Sequence, residues 1–353
     1  MRLCIIGLPS SGKTTVFRAL TGAEPGPGDG QGAVARIIPV PDERVDNLSA
    51  IYHPRKTTYA TVEYVDLGGA SGMTRESREL GPRFLNAVRQ AAALVHVVDA
   101  FVFAYDPAPV VEAIEVVDTE LVLSDLSQAE KRLERLAKEG NTKSGPRAIE
   151  LQMLEQARAV LATGKPLRRD PSLAQAEALR GFTFLSAKPI LTVVNTAEEH
   201  PAFDASVLPP AVREQRSGEA GVFVPLCAKL EAEIASLPAA EARTFLSSYG
   251  ILTPARERVI RHSYTLLGLM SFFTVGEDEV RAWTLRQGAS ALEAAAAIHS
   301  DLARGFIAAE VCSCDTVMTL GGFEQASRHG KQRLEGKTYP VKDGDVISIR
   351  FNV

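Results

Sequence analysis

Three features of the sequence predict an α/β fold, a doubly wound parallel sheet interrupted by a pair of helices and followed by a small β-grasp unit. The first is an apolar strand at the amino end that runs straight into a glycine-rich turn and a helix. The second is the alternation of strand and helix patterns beyond it, broken once by about seventy residues of helical periodicity alone. The third is a strand, strand, helix, strands order at the carboxyl end.

The opening strand, Met1 to Ile6, leads into Gly7-Leu8-Pro9-Ser10-Ser11-Gly12-Lys13-Thr14-Thr15. This fits GxxxxGK[ST], the phosphate-binding loop of P-loop nucleotidases. Gly7 and Gly12 let the backbone curl so that its N–H groups face inward, and the helix starting near Lys13 adds its positive dipole end. Gly7, Pro9, Ser10, Ser11, Gly12, Lys13, Thr14 and Thr15 are therefore expected to cradle a nucleotide. Lys13 would reach the β- and γ-phosphates, and the Thr14 hydroxyl would ligate Mg²⁺. The alternative reading is a glycine-rich turn with a surface lysine.

Gly22 to Gly32 is a Gly/Pro-rich break. Pro41-Asp42-Glu43-Arg44 then opens a helix with Val45, Leu48 and Ile51 at helical spacing. Thr61 to Asp66 is a strand ending in an acid, and Asp66-Leu67-Gly68-Gly69 reads DxxG. There a carboxylate can hold a magnesium-bound water and the Gly69 N–H can meet the γ-phosphate; a plain turn gives the same four letters. A helix around Arg83 to Ala92 precedes the buried strand Leu94 to Asp99, whose His96 reads as a core histidine. Leu126, Ala129, Leu133 and Leu136, then Ala148, Leu151, Leu154 and Leu161, recur at three- and four-residue steps and fit two antiparallel helices. Their charges lie mostly off the apolar stripe, as on a solvated face.

Sheet patterning resumes at Pro189 to Asn195 and at Val222 to Cys227. Asn195-Thr196-Ala197-Glu198 follows a strand end where nucleotidases of this fold hold the base. Glu198 can accept hydrogen bonds from a ring or exocyclic amine while Asn195 braces the loop; a helix N-cap with an acid in its first turn is the competing reading. Cys227, Ala228 and Lys229 would line the other side of the base. From about Ser271 two strands, an alanine-rich helix and further strands compose the β-grasp. The expected division is 1–112 with 183–268 for the nucleotide domain, 113–182 for the inserted helices, and 269–353 for the last domain.

Composition bounds the function. The chain has 353 residues, 45% hydrophobic and 23% charged, enough for two or three packed domains. With 39 basic against 43 acidic residues there is no global field of a nucleic-acid or membrane binder, so any RNA contact must be local. Cys4, Cys227, Cys312 and Cys314 lack zinc-site spacing and read as buried thiols in a reducing compartment. A strand starting at Met1 leaves no room for a cleavable signal, and no apolar run is long enough for a bilayer. A cytoplasmic protein with no membrane partner is expected. Nothing in the sequence fixes an oligomeric state.

These motifs, taken in order, resemble the YchF/Obg-like ATPase family nearly end to end. The strongest stretches are Ile38 to Arg44, Val65 to Gly69, Glu231 to Ile234, Glu279 to Thr284, Ile298 to Asp301 with Gly305 to Ile307, and Glu335 to Val353. The resemblance implies a nucleotide domain interrupted by a helical arm, a terminal TGS domain, and association with ribosomes. It implies ATP over GTP, because the family carries NxxE where typical GTPases carry NKxD, and Asn195 with Glu198 matches NxxE. It also exposes departures. Ser10-Ser11 stands for the family's Asn-Val, and Gly22 to Ile37 contains no threonine for a second magnesium hydroxyl. Ala70 to Arg75 replaces a Leu-Val-Lys-Gly-Ala run, and Phe101 to Asp106 lacks the histidine suspected of assisting hydrolysis.

The leading expectation is a slow ATPase, with ATP or GTP as ligand and Lys13, Thr14, Asp66 and Gly69 at the chemistry. Its nucleotide would control docking on a ribosome or RNA–protein particle through the arm and the TGS domain. A non-hydrolysing sensor and a guanine-specific GTPase remain open beside it. Arg328, His329, Lys331, Arg333, Lys337 and Lys342 can pair with RNA phosphates or simply form a solvated loop.

Overall fold

The computed structural model describes residues 1–22, 33–67, 81–102, 106–139, 145–199, 203–216, 222–248 and 253–352. Gly69, the run 70–75, residues 23–32 of the Gly/Pro-rich break and residues 103–105 lie outside the described residues. The chain divides into two compact units, Met1–Arg36 with Glu63–Leu266, and Ile37–Val62 with Leu267–Val353.

The first seven strands among the described residues are β1 (Arg2–Ile6), β2 (Val34–Pro39), β3 (Lys56–Thr58), β4 (Thr61–Asp66), β5 (Ala93–Ala100), β6 (Ile190–Thr196) and β7 (Phe223–Leu226). All but β3 form one sheet in the order β2-β4-β1-β5-β6-β7. From β4 to β7 every neighbouring pair is parallel. Such strands bury both faces, and β6 is buried at every residue, its polar Thr192, Asn195 and Thr196 included. On one face Cys4, Ile6, Val65 and Leu94 meet Phe84 and Val88 of helix Pro82–Gln90 and Val117 and Leu121 of the next helix. Helix Lys13–Thr21 packs against helices Ala228–Ser236 and Ala255–Leu266. The order places the phosphate loop after β1, Asp66 at the end of β4 and Asn195 near the end of β6, so all three converge on the carboxyl edge.

The inserted helices are continuous with the sheet layer. A single helix, Ala108–Glu139, runs for 32 residues, roughly 48 Å. Val110, Ala113 and Ile114 in its first half pack on β5 and β6 residues, whereas Ala129 and Leu136 in its second half meet Leu154 and Leu161 of helix Pro146–Leu161. A boundary at residue 113 therefore falls inside one unbroken helix. Asp125, on the same helix, is fully buried and accepts from the N–H groups of Leu185 and Ser186 at 2.9 and 2.7 Å. No helix among the described residues is long and apolar enough to cross a membrane.

The second unit carries β8 (Leu269–Thr274), β9 (Glu279–Arg286), β10 (Phe306–Ser313), β11 (Arg333–Glu335) and β12 (Asp345–Phe351). The order is β11-β10-β12-β8-β9-β3, with β12 and β8 parallel at the centre and β8–β9, β10–β12 and β10–β11 antiparallel, as in a β-grasp. Helix Ala291–Ile298, opened by a Ser290–Glu293 capping box, covers one face through Ala291, Ala294 and Ala295. The other participant is residues 37–62. Its β3 adds a parallel edge strand to β9, and its helix Glu43–Tyr52 packs on β9 and on helix Cys314–Leu320. All four cysteines are buried free thiols, and Cys314 opens that helix.

Candidate functional site

The phosphate loop has the conformation its glycines permit. Gly12 sits at φ 89°, in the left-handed region, and a Cβ there would overlap the Asn195 side-chain amide. A Cβ on Gly7 would overlap the Val97 carbonyl oxygen. Ser10 also takes a left-handed φ of 65°, which glycine and asparagine adopt more readily than serine.

The side chains expected at the site then fall around the loop. Lys13 folds back so that its Nζ donates to the Leu8 carbonyl at 2.6 Å, inside the curl of the loop. Burial lowers its pKa, with Asp66 opposing the shift, so an anion placed in the curl would relieve an under-compensated ammonium. The Thr14 hydroxyl donates to Asp66 Oδ2 at 2.8 Å, and Asp66 is 4% exposed. Two hard oxygen donors thus meet at the helix start. That set suits Mg²⁺, which takes one or two protein oxygens plus phosphates and water; among the described residues no larger His/Cys/Asp/Glu group could hold a metal. Gly69, the remaining residue of the expected catalytic set, lies outside the described residues.

Asn195 ties the two halves of the site together. Its Nδ2 donates to the Ser11 carbonyl at 3.1 Å, and its Oδ1 accepts from the Ala228 N–H at 3.1 Å. Both bonds are buried, so the phosphate loop and the start of helix Ala228–Ser236 are held in one register by one side chain. A cavity of about 420 Å³ opens beside them, lined by Ser10, Gly12, Thr15, Asn195, Glu198, Cys227, Ala228 and Lys229 from the expected set. Glu198 and Lys229 form a 3.2 Å ion pair at its rim, which raises the lysine pKa. Burial raises that of the Cys227 thiol, which is therefore not a reactive thiolate.

Sequence reasoning missed one wall. Phe101 lines the same cavity and is 43% exposed, with its N–H capped by Asp99 Oδ1 at 2.8 Å. Its position just past the carboxyl end of β5 was the available signal, since ligands of such sheets sit at that edge. Pro9, Ser11, Lys13 and Thr14 belong to the loop itself and do not line this cavity.

Comparison with known proteins bears on the whole chain. A profile described as a 50S ribosome-binding GTPase matches residues 2–143, and the YchF-GTPase_C profile, described as a protein of unknown function, matches residues 269–352. The ribosome-binding ATPase YchF of Bacillus subtilis (strain 168) is 37% identical over 362 residues, covering 99% of this chain and 98% of that protein. The protein of the same name from Haemophilus ducreyi is 38% identical over 373 residues, with the same coverages. The solved structure of the Schizosaccharomyces pombe YchF GTPase superposes with a TM-score of 0.85 at 26% identity, covering 99% of this chain and 97% of that one. The phosphate loop, its asparagine brace and the β-grasp unit thus occur together in a chain matched from end to end, and this chain belongs to the YchF family.

Proposed function

We propose that this chain binds a nucleoside triphosphate, ATP in preference to GTP, with Mg²⁺ at Thr14 and Asp66, hydrolyses it slowly, and uses its occupancy to control association with the ribosome. The observation that carries the reading is the convergence of Lys13, the Thr14–Asp66 pair and the Asn195 brace on one backbone curl next to a cavity of about 420 Å³. The names of the relatives support it: the bacterial proteins are ribosome-binding ATPases, and the S. pombe protein is a YchF GTPase.

Phosphoryl transfer asks the protein mainly for positioning and charge neutralisation. The loop N–H groups would hold the phosphates, and Lys13 would exchange the Leu8 carbonyl for phosphate oxygen. Magnesium, when bound, supplies charge neutralisation between the phosphates. Gly69 belongs to the catalytic set as a γ-phosphate N–H donor, and Asp66 and Thr14 as holders of the metal. Pro9, Ser10, Ser11, Gly7 and Thr15 complete the cradle. The base would lie between Phe101 and the segment Cys227, Ala228, Lys229, with Glu198 trading Lys229 for an exocyclic amine. The inserted helices within 113–182 and the β-grasp domain within 269–353 are the surfaces assigned to the ribosome. The exposed Arg328, His329, Lys331, Arg333, Lys337 and Lys342 would meet RNA phosphate, with work in the cytoplasm to match.

Replacing Lys13 with alanine should weaken Mg·ATP binding by roughly a hundredfold, the scale of one charge-assisted contact in a half-buried site. Calorimetry on the folded variant measures this, and unchanged affinity refutes the assignment. Competition with GTP in the same titration decides the base. A non-hydrolysing sensor is the second reading, favoured by the threonine-free Gly22 to Ile37 segment. Lys13-dependent phosphate release in a single turnover, with and without ribosomes, separates the two.

A further inference from the structure

Residues 37–62 are an integral part of the β-grasp unit, although in sequence they interrupt the phosphate-binding unit. The grip is specific. Arg44 donates to both oxygens of Asp42, at 2.9 and 2.8 Å, and to Asp343 Oδ2 at 2.7 Å, while its guanidinium lies 5.0 Å from the centre of the Phe273 ring. Burial works against the charge of Arg44, yet the two carboxylates hold its pKa above the ordinary value. Asp343 in turn accepts the Ser271 N–H at 2.8 Å, so the Asp343-Gly344-Asp345 turn, Pro41-Asp42-Glu43-Arg44 and β8 close on one side chain. Tyr52 accepts from the Phe323 N–H, and Thr58 and Lys56 both engage Glu279.

The two residues assigned to magnesium flank this excursion in the chain: Thr14 precedes it, and Asp66 ends the strand that closes it. Strand β4 carries Thr61 and Val62 in the second unit and Glu63 to Asp66 in the first, without a break. From Glu63 to Asp66 it is in register with β1, and Val62, Tyr64 and Val65 are buried. A buried, paired strand is stiff. A cation at Thr14 and Asp66 must displace or reorient the 2.8 Å bond that now joins them, and the displacement has a direct covalent path of four residues to Val62.

Resting on the nucleotide reading above, we propose that residues 37–62 are a nucleotide-responsive latch. Occupancy at Thr14 and Asp66 alters the hold of this segment on the β-grasp sheet through β4, with the Arg44–Asp343 pair as the catch. By linkage, weakening the catch must change nucleotide affinity although neither residue belongs to the nucleotide site.

The chain's single tryptophan reports on the latch. Trp283 lies on β9 under the Arg281 guanidinium, 3.9 Å from its ring centre, and Arg281 is in register with Thr58 of β3. In the full-length protein, saturating Mg·ATP should change hydrogen exchange in residues 43–62 several-fold and shift Trp283 emission. Asp343→Asn, which keeps an acceptor for Ser271, and Arg44→Lys should each move the calorimetric Kd for Mg·ATP by about fivefold or more. Calorimetric binding with unchanged exchange in 43–62 and wild-type affinity in Asp343→Asn overturns the latch alone. No calorimetric binding at all overturns the nucleotide reading and the latch with it. The exchange measurement needs no variant, so a misfolded Arg44→Lys leaves the test intact.

Discussion

The two serines of the phosphate loop show how little of a site's chemistry a motif fixes. Ser10 and Ser11 occupy the free positions of GxxxxGK[ST], yet one takes a left-handed φ of 65° and the other is 2% exposed. The buried Ser11 hydroxyl has no hydrogen-bond partner among the described residues, while its carbonyl receives the Asn195 amide. Burying an unpaired hydroxyl costs about 1–3 kcal/mol, whereas a valine methyl in the same place gains from burial. Ser11→Val should therefore stabilise the protein by about 1 kcal/mol, raising the melting temperature by roughly 2–4 °C without loss of the backbone cradle. Differential scanning calorimetry measures it, and a lower melting temperature contradicts the account. The motif letters located the loop because glycine, lysine and threonine are demanded by backbone and phosphate. They were silent on Ser11, whose environment is made by residues far away in the chain.

At the scale of elements, the long helix Ala108–Glu139 joins sheet and arm, and Asp125 is its fixing point. Its pKa is raised from 3.8 to about 6, first by burial, with the Ser186 and Leu185 hydrogen bonds and Arg89 opposing. The sign follows from proton counting. Between pH about 4 and 6 the folded state keeps a proton on Asp125 that the unfolded state has released, so stability falls as pH rises through that window and is level above it. The difference corresponds to about 3 kcal/mol over the window. Asp125→Asn cannot titrate, so its denaturant midpoint should lack this fall while the wild type shows it; parallel pH profiles for the two proteins would count against Asp125. Periodicity alone placed the arm's apolar stripe correctly, since Leu126, Ala129, Leu133 and Leu136 all join its core. It could not place the arm's root, because the stripe that packs on the sheet and the stripe that packs on the second arm helix follow each other in one helix with no capping break.

Across the whole molecule, sheet order was legible where strands were long and apolar: β1, β4, β5, β6 and β7 each carry a strand-length apolar pattern, and their parallel order put Asp66 and Asn195 beside the phosphate loop. What stayed hidden was the membership of residues 37–62. Strand β3 has three residues, Lys56, Thr57 and Thr58, too few for any period, and its partner β9 lies more than two hundred positions away. The helix Glu43–Tyr52 announced its start with the Asp42 cap but not the surface it covers. That surface decides the last prediction. Val45, Leu48, Val280 and Phe273 are fully buried, Arg44 lies over Phe273, and helix Glu43–Tyr52 packs on β9. A fragment 267–353 alone would leave β9 as a bare edge and expose this apolar face, which for a unit of that size removes much of a marginal core. It should fail to unfold cooperatively and should bind a hydrophobic dye, whereas residues 37–62 joined ahead of it by a flexible Gly/Ser linker should restore a single denaturant transition with the Trp283 emission of the full-length protein. Cooperative unfolding of 267–353 by itself, with the same midpoint as the linked form, would mean that the helix and edge strand merely rest on a β-grasp complete without them.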